Sequence, residues 1–516
     1  MKFSLAAAAS RVKRVVIAAR NAATDAAPVR SPFDGGSQTR RTSTWRAPST
    51  TPNSHLGSLA TLRDRSRAAA RNDGNARSII ETLVSNIVGT GITPLSQSTD
   101  REYKRQLTDL WTDWTDVSDA DGMLDFYGQQ TQAVRGWMEA GDAFIRMRQR
   151  LASDGLPVPM QLQVLEAEMC PHTYDAVLPS GNRVRAGIEF NGIGRRVAYY
   201  FYKTRPGQPE DFLSGELVRV PAESVVHLYD PLRAGQLRGL PVLTTALVLL
   251  YELDKYRDAT LIRQQLGNLF AGFVTTTSDA GDTDIDTLTG LERETDPTDG
   301  KPIVQLAAGT MQELDPGTKV DFSDPPDPPT TYAEFFKQQL RSACVGAGVP
   351  YEVATNDLSG LNDRTMRVLL NGFRRRIQAY QHQNVVQMMC RPIFTAWLDR
   401  AYLAASLPIP VDYIENPTPY ARVKWQPQAH PYIHPVQDVD SKKAAIRAGL
   451  TTRSAEVAEQ GEDAALIDLQ QQEDNQRADD YGLKYDSDGR QPASGPAKSA
   501  TESDPSQDPA TQGAAA

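Results

Sequence analysis

Between Thr330 and Tyr380 two helical stripes flank one turn-forming stretch, and this pattern restricts the fold more than any other part of the chain. Tyr332, Phe335, Phe336, Leu340, Ala343 and Ala347 recur at steps of three and four, so they line one side of a rod with 3.6 residues per turn. Gly348 followed by Val349-Pro350 stops that helix. Glycine tolerates the left-handed position just past a helix end, and the residue before a proline is driven out of the α region. The next stretch, Tyr351 to Asp363 (YEVATNDLSGLND), is polar and predicts a mobile loop with Leu358 and Leu361 exposed. Beyond it Met366, Leu369, Leu370, Phe373, Ile377 and Tyr380 form the second stripe, and Arg364, Arg367, Arg374, Arg375 and Arg376 crowd the rest of that helix. Pro392 is expected to kink or break it.

The amino-terminal half predicts helices followed by hairpins. A basic helix carries Arg63, Arg65, Arg67 and Arg71. The next has the stripe Ala76, Ile79, Ile80, Leu83, Val84 and Ile87 and ends at Gly89-Thr90-Gly91. No strand precedes that Gly-x-Gly, so it reads as a helix stop and not a phosphate loop. Residues 101–140 predict further helices with Trp111 and Trp114 as core anchors. Phe144 to Arg148, Met160 to Glu166, Arg195 to Tyr202 and Glu216 to Tyr229 alternate and are rich in aromatic and β-branched residues, the pattern of antiparallel hairpins, one of them closed by Gly192-Ile193-Gly194. Pro241 opens a helix expected to reach about Leu266, since a missing N–H costs nothing in the first turn. From Ala271 to Pro329 the pattern breaks into short strand-like pieces (Gly272 to Thr276, Pro302 to Leu306, Lys319 to Phe322) around Asp279 to Gly300, which holds eight acids and one arginine. Short helices are expected at Pro435 to Ala448, Arg453 to Gln460 and Asp463 to Arg477, ahead of a polar tail.

The 516 residues suffice for about three domains. Net charge is −9, yet residues 1–77 hold 14 Lys/Arg against 4 Asp/Glu and residues 438–516 hold 16 Asp/Glu against 8 Lys/Arg. The expectation is a solvated basic arm and an acidic tail. Cys170, Cys344 and Cys390 lie far apart without a CxxC, which suggests neither a disulfide framework nor a zinc ribbon and suits a reducing cytoplasm. The short apolar start is followed at once by Arg11, Lys13 and Arg14, which argues against export, and no apolar run approaches bilayer-spanning length.

Catalytic motifs are missing from the sequence. There is no GxxxxGK[ST] loop, no HExxH and no GxSxG. Asp282-x-Asp284-x-Asp286 has the start of a calcium loop, but Thr287 and Arg293 replace the required glycine and glutamate. His430 and His434 sit among prolines and cannot share a helical face. Ala444 to Glu459 has the outline of a helix-turn-helix, but its second helix carries one arginine and two glutamates, a poor match to phosphates.

The stretch FKQQLRSACVGAGVPYEVATNDLSGLNDRTMRVLLNGFRRR resembles the core of lambda-type bacteriophage portal proteins. So do, in family order, RSRAAARNDGNARSIIETLVSNIVGTGI, MQLQVLEAE, AGIEFNGIGRRVAYYFY, VVHLYDPLRAGQLRGLPVL and DVDSKKAAIRAGLTTRSAEVAEQGED, together spanning about residues 55 to 470. Where the family usually has a Ser-rich tract after the loop, this chain has Asn362-Asp363-Arg364-Thr365. The resemblance implies an α+β, portal-like subunit. Its parts would be a flexible arm at 1–50, a wing of helices and antiparallel sheet at 51–240, a first stem helix at 241–270 and a clip at 271–328. A second stem helix at 329–350, a tunnel loop at 351–363, the long wing helix and its return at 364–434, crown helices at 435–480 and a disordered tail at 481–516 would follow. Asn356, Asp357, Leu358, Ser359, Gly360, Leu361, Asn362 and Asp363 would line a DNA channel.

By the same resemblance the protein would be a non-enzymatic ring, a homododecamer, without cofactor, metal or membrane. It would sit at one vertex of the virion after assembly in the host cytoplasm, as the conduit for packaging and ejection of double-stranded DNA. Terminase, major capsid or scaffold protein and a head-completion or tail connector protein would be its partners. The alternatives are a scaffold or minor capsid protein and, third, a DNA-processing nuclease or terminase.

Overall fold

The computed structural model describes residue 44 and residues 48–204, 215–269, 273–276, 318–321, 332–408, 413–428, 435–485, 488 and 490. Most of the arm, Asp279 to Gly300, Pro302 to Leu306, His430, His434 and residues 491–516 lie outside the described residues. The chain divides into two units. In the described part of the smaller, Arg233 donates from Nη1 and Nη2 to the Thr50 carbonyl at 3.2 and 3.3 Å and Asn53 Nδ2 donates to Gly235 O at 3.0 Å. Everything below concerns the larger unit.

Several of its helices begin where a short polar side chain satisfies free N–H groups. Helix α1 (Leu59–Asn72) leads to α2 (Gly74–Ile87), whose cap Asp73 accepts from Asn75 N at 2.8 Å. All six residues of the α2 stripe are buried, and Gly89 stands at φ 59° just beyond the helix. After strand β1 (Thr93–Ser96), Asp100 caps α3 (Arg101–Thr115) and Asp125 caps α4 (Phe126–Ala140). Trp111 and Trp114 are core anchors as expected. They pack with Phe126, Phe394 and Trp397 at centroid distances from 4.9 to 6.1 Å, and Trp114 Nε1 donates to Met160 O at 2.8 Å, which satisfies its one polar atom.

Two antiparallel sheets follow. Strands β2 (Asp142–Gln149) and β3 (Met160–Glu166) open the first. Strands β4 (Ala176–Val177), β5 (Arg183–Arg185), β6 (Ile188–Phe190), β7 (Arg196–Tyr202) and β8 (Leu217–Pro221) make a five-stranded meander in chain order. The β6–β7 hairpin is closed at Gly194, φ 79°. The single strand expected over Glu216 to Tyr229 is instead two. A 3₁₀ turn at Ala222–Ser224 ends β8, and β9 (Val225–Tyr229) crosses to pair with β2, giving the order β3-β2-β9. The physical reason is packing: Phe144, Ile188, Tyr199, Phe201, Val220 and Val225 share one buried cluster between the sheets, and only a change of sheet puts both ends of this segment on it.

Pro241 precedes a 3₁₀ turn (Val242–Thr245), and the α-helix proper, α5, runs Leu247–Leu269. Strands β10 (Phe273–Thr276) and β11 (Thr318–Asp321) pair antiparallel. Then come α6 (Tyr332–Ala347), the short α7 (Tyr351–Thr355) and α8 (Asp363–Tyr380). Pro392 does not break the rod. Residues Gln381–Cys390 are wound as π-helix and α9 (Arg391–Leu403) continues from them with Pro392 in its first turn. Widening the coil before the proline absorbs its missing donor. It also turns Gln381 and Asn384 inward, where Gln381 Nε2 donates to Ile87 O at 3.0 Å and Asn384 Nδ2 to Tyr229 O at 2.8 Å. Strand β12 (Val423–Gln426) pairs with β1 across the chain, and α10 (Pro435–Arg447), α11 (Arg453–Glu459) and α12 (Ala464–Asp480) end the described fold. Helices with antiparallel sheets make this the α+β class read from the sequence.

Candidate functional site

The turn after α6 is set by Gly348. Its N–H donates to Val345 O and that of Val349 to Cys344 O, both at 3.0 Å, the paired bonds of a glycine-terminated helix. Gly348 stands at φ 75°, and a Cβ there would lie 1.5 Å from Arg376 Nη1. The position therefore needs glycine for its backbone and for the guanidinium packed on it. Pro350 then starts α7, so the first five residues of the expected loop are helical, and Asn356 ends that turn at φ 56°. Asp363 belongs to α8, whose cap Asn362 accepts from Thr365 N at 2.8 Å and Thr365 Oγ1 at 2.7 Å. The loop is thus 356–362, shorter than the sequence suggested, because both ends are captured by helix-capping geometry.

Its middle is held by one carboxylate. Asp357 Oδ2 accepts from Lys337 Nζ at 2.6 Å and from Tyr351 Oη at 3.0 Å, while Oδ1 accepts from Ser359 N at 3.1 Å and from Ser359 Oγ. The Lys337 ammonium, followed by the Ser359 and Tyr351 donors, holds the Asp357 carboxyl well below the usual carboxylate range. Lys337 Nζ also lies 5.4 Å from the Tyr351 ring centroid. Asp357 and Asp363 do not stand as free charges in the fold. Each is paired instead, Asp363 with Arg367 at 2.6 Å, since a helix is one turn away from each. Leu358 projects, 56% exposed, and Ser359, Gly360 and Asn362 are exposed as well.

On α8, Phe373 and Ile377 are buried, but Met366, Leu369 and Leu370 are only half-buried. Arg364, Arg375 and Arg376 are exposed, and Arg376 Nη2 donates to Tyr380 Oη at 3.0 Å.

Sequence reasoning missed a second constellation. Asp142, fully buried, accepts on Oδ2 from Arg63 Nη2 at 2.5 Å and Arg238 Nε at 2.7 Å, and on Oδ1 from Gly239 N. His227 Nε2 lies 3.2 Å from Oδ1. Arg238 spends its other donors on the carbonyls of Cys170 and Ala167, both at 2.9 Å, and Arg63 Nε donates to Ala140 O at 2.9 Å. Burial pushes the Asp142 carboxyl up, but Arg238, His227 and Arg63 outweigh it and hold the group well below its ordinary range. Burial pushes His227 down to about 4 and Arg63 down to about 10. Every donor and acceptor here faces protein, so the cluster is a structural hub joining α1, the start of β2, β9 and residues 236–239. The signal available in the sequence was slight: an aspartate before Ala143-Phe144-Ile145 and an arginine between Leu237 and Gly239, charges that must be paired if they are to be buried.

Residues 38–381 match the family described as phage portal protein, lambda family. The chain belongs to that family. The match runs through β1 to β11, the loop and all of α8, so the protein is a phage portal protein, a structural component of the phage particle, as the resemblance implied. A relative described as a probable portal protein, from Halomonas phage phiHAP-1, is 24% identical over 440 residues, covering 82% of this chain and 81% of its own length. Portal protein B of Escherichia phage lambda is 22% identical over 321 residues, covering 58% of this portal protein and 60% of its own length. Among solved structures, the neck of an empty gene transfer agent particle computed with C6 symmetry contains a similar chain, with TM-score 0.42, 14% identity and coverage of 78% of this chain and 93% of that one.

Proposed function

We propose that this portal protein assembles into a ring of twelve copies at one vertex of the phage head and that double-stranded DNA is packaged and ejected through its axis. In this reading α5 and α6 are stem helices, the β10–β11 pair is the base of the clip, residues 356–363 face the channel, the rod from α8 to α9 spans the wing and α10 to α12 form the crown. Terminase, the major capsid or scaffold protein and a head-completion or tail connector protein are its partners, met first in the host cytoplasm and then in the virion. The protein acts without catalysis or cofactor.

The observation that carries this reading is the family match across residues 38–381. Physical chemistry supports it. A conduit must not grip its cargo, because each Lys/Arg–phosphate neutralisation adds affinity and a salt-dependent hold. Residues 356–362 contain no Lys or Arg, and their one acid, Asp357, is paired with Lys337, so a passing duplex meets neutral, short side chains. Burial pushes the Cys170 and Cys344 thiols up to about 11, which makes them poor nucleophiles.

Negative-stain microscopy of the purified protein is expected to give discrete rings with an axial hole. Particles without a hole at every concentration tried point to a scaffold or minor capsid role. In a packaging assay, Leu358→Lys is expected to slow head filling at low salt and recover as salt screens the new attraction. A defect indifferent to salt removes the loop from the DNA path.

A further inference from the structure

Helices α10 and α12 leave apolar residues in water that their own subunit does not cover. On α10, Val436, Val439 and Ile446 are 76%, 49% and 36% exposed, and on α12 Leu466 and Leu469 are 45% and 51% exposed. Across these three C-terminal helices the buried apolar residues are Ala458 and Ala478, too little to account for helices of 13, 7 and 17 residues by packing within one chain.

The two exposed faces share one spacing. Positions 436, 439, 443 and 446 on α10, and 466, 469, 473 and 476 on α12, step by three, four and three, the seam of a two-helix coiled coil. Aligned from their amino ends, each presents two apolar residues, then a charge, then one more large side chain. The charges are opposite, Lys443 on α10 and Glu473 on α12. Among the described residues Lys443 pairs with Asp440 of its own helix at 3.8 Å, both side chains being largely exposed.

We infer that α10 of one copy packs parallel to α12 of the next copy in the ring, with Val436 and Val439 against Leu466 and Leu469 and with Lys443 paired to Glu473. The occupant is a second copy of this chain because the complementary charge and the matching spacing are both on the chain itself. Both faces being exposed, they do not cover each other within a subunit. A contact between different patches on two copies is heterologous and closes into a ring when its rotation permits. The inference deepens the portal reading and rests on it.

Ring formation by the full-length chain, followed by sedimentation velocity and microscopy, tests it. Lys443→Glu and Glu473→Lys are each expected to raise the concentration needed for half-assembly by roughly tenfold, as breaking one desolvated charge pair per contact does. The combined variant is expected to return to the wild-type concentration. Circular dichroism, taken for each protein above its own assembly concentration, is expected to be the same in all three, because both side chains are exposed and neither packs inside its own subunit. If either single variant assembles like wild type, or the combined variant is as impaired as the singles, the contact is overturned while the ring stands. If the wild-type chain makes no rings, the portal reading itself fails.

Discussion

Asp142 and Asp357 are both aspartates gripped by a cation and held ionised, yet they do opposite kinds of work. The Asp142 side chain is completely buried with Arg63 and Arg238, whereas that of Asp357 is 29% exposed beside Lys337. In the interior a charge without a partner has no water to fall back on, so the pair is obligatory once formed. At the surface water replaces a lost partner, and the pair sets the shape of a loop more than the stability of the fold. The hub holds sheet and helix together, and the latch selects one conformation of residues 356–362.

The largest effect is expected at the hub. Asp142→Asn leaves two buried guanidinium groups facing a neutral amide and is expected to cost about 3–5 kcal/mol, read as a lower denaturant midpoint with unchanged slope. A change under about 1 kcal/mol would erase the contrast with Asp357. The hub also has a pH signature. The folded-state value of His227, about 4, lies below its ordinary 6.5, so the unfolded chain takes up that proton first as pH falls. Stability is then full above pH 6.5 and is lost toward about pH 4. His172, pushed down to about 4 first by burial and then by Arg63, adds to the same window. His227→Gln, which can still donate to Asp142, is expected to flatten the fall of Tm across that window, and an unchanged slope would show that His227 titrates as freely in the fold as out of it.

Near the loop, backbone geometry is expected to outweigh charge. Gly348→Ala forces a side chain to φ 75° and displaces the Arg376 head, costing about 1–2 kcal/mol, measurable by thermal unfolding. The smallest effect belongs to Asp357→Asn, expected to change stability by less than about 1 kcal/mol while speeding hydrogen exchange at the Ser359 amide that Asp357 now holds. If the global stability drops as far as for Asp142→Asn, the latch is part of the core and the comparison fails.

The local elements were legible because their causes are local. The α2 stripe, the tryptophan anchors, Gly348, the β6–β7 hairpin and the family resemblance all follow from residues a few positions apart, where helical and strand periods and backbone restrictions act. What the sequence alone did not decide depends on partners far along the chain. The hub draws on residues 63, 142, 227 and 238, whose charges look like ordinary surface charges until the fold removes their water. The switch from β8 to β9, the β1–β12 pairing and the π-wound coil before Pro392 each answer to a neighbour in space. So does the loop: its residues announced a turn, but Lys337, on the preceding helix, decided that Asp357 would be a clasp instead of a free charge. Periodicity is a property of neighbours in sequence, whereas desolvation is a property of neighbours in space, and only the folded structure says which charges lose their water.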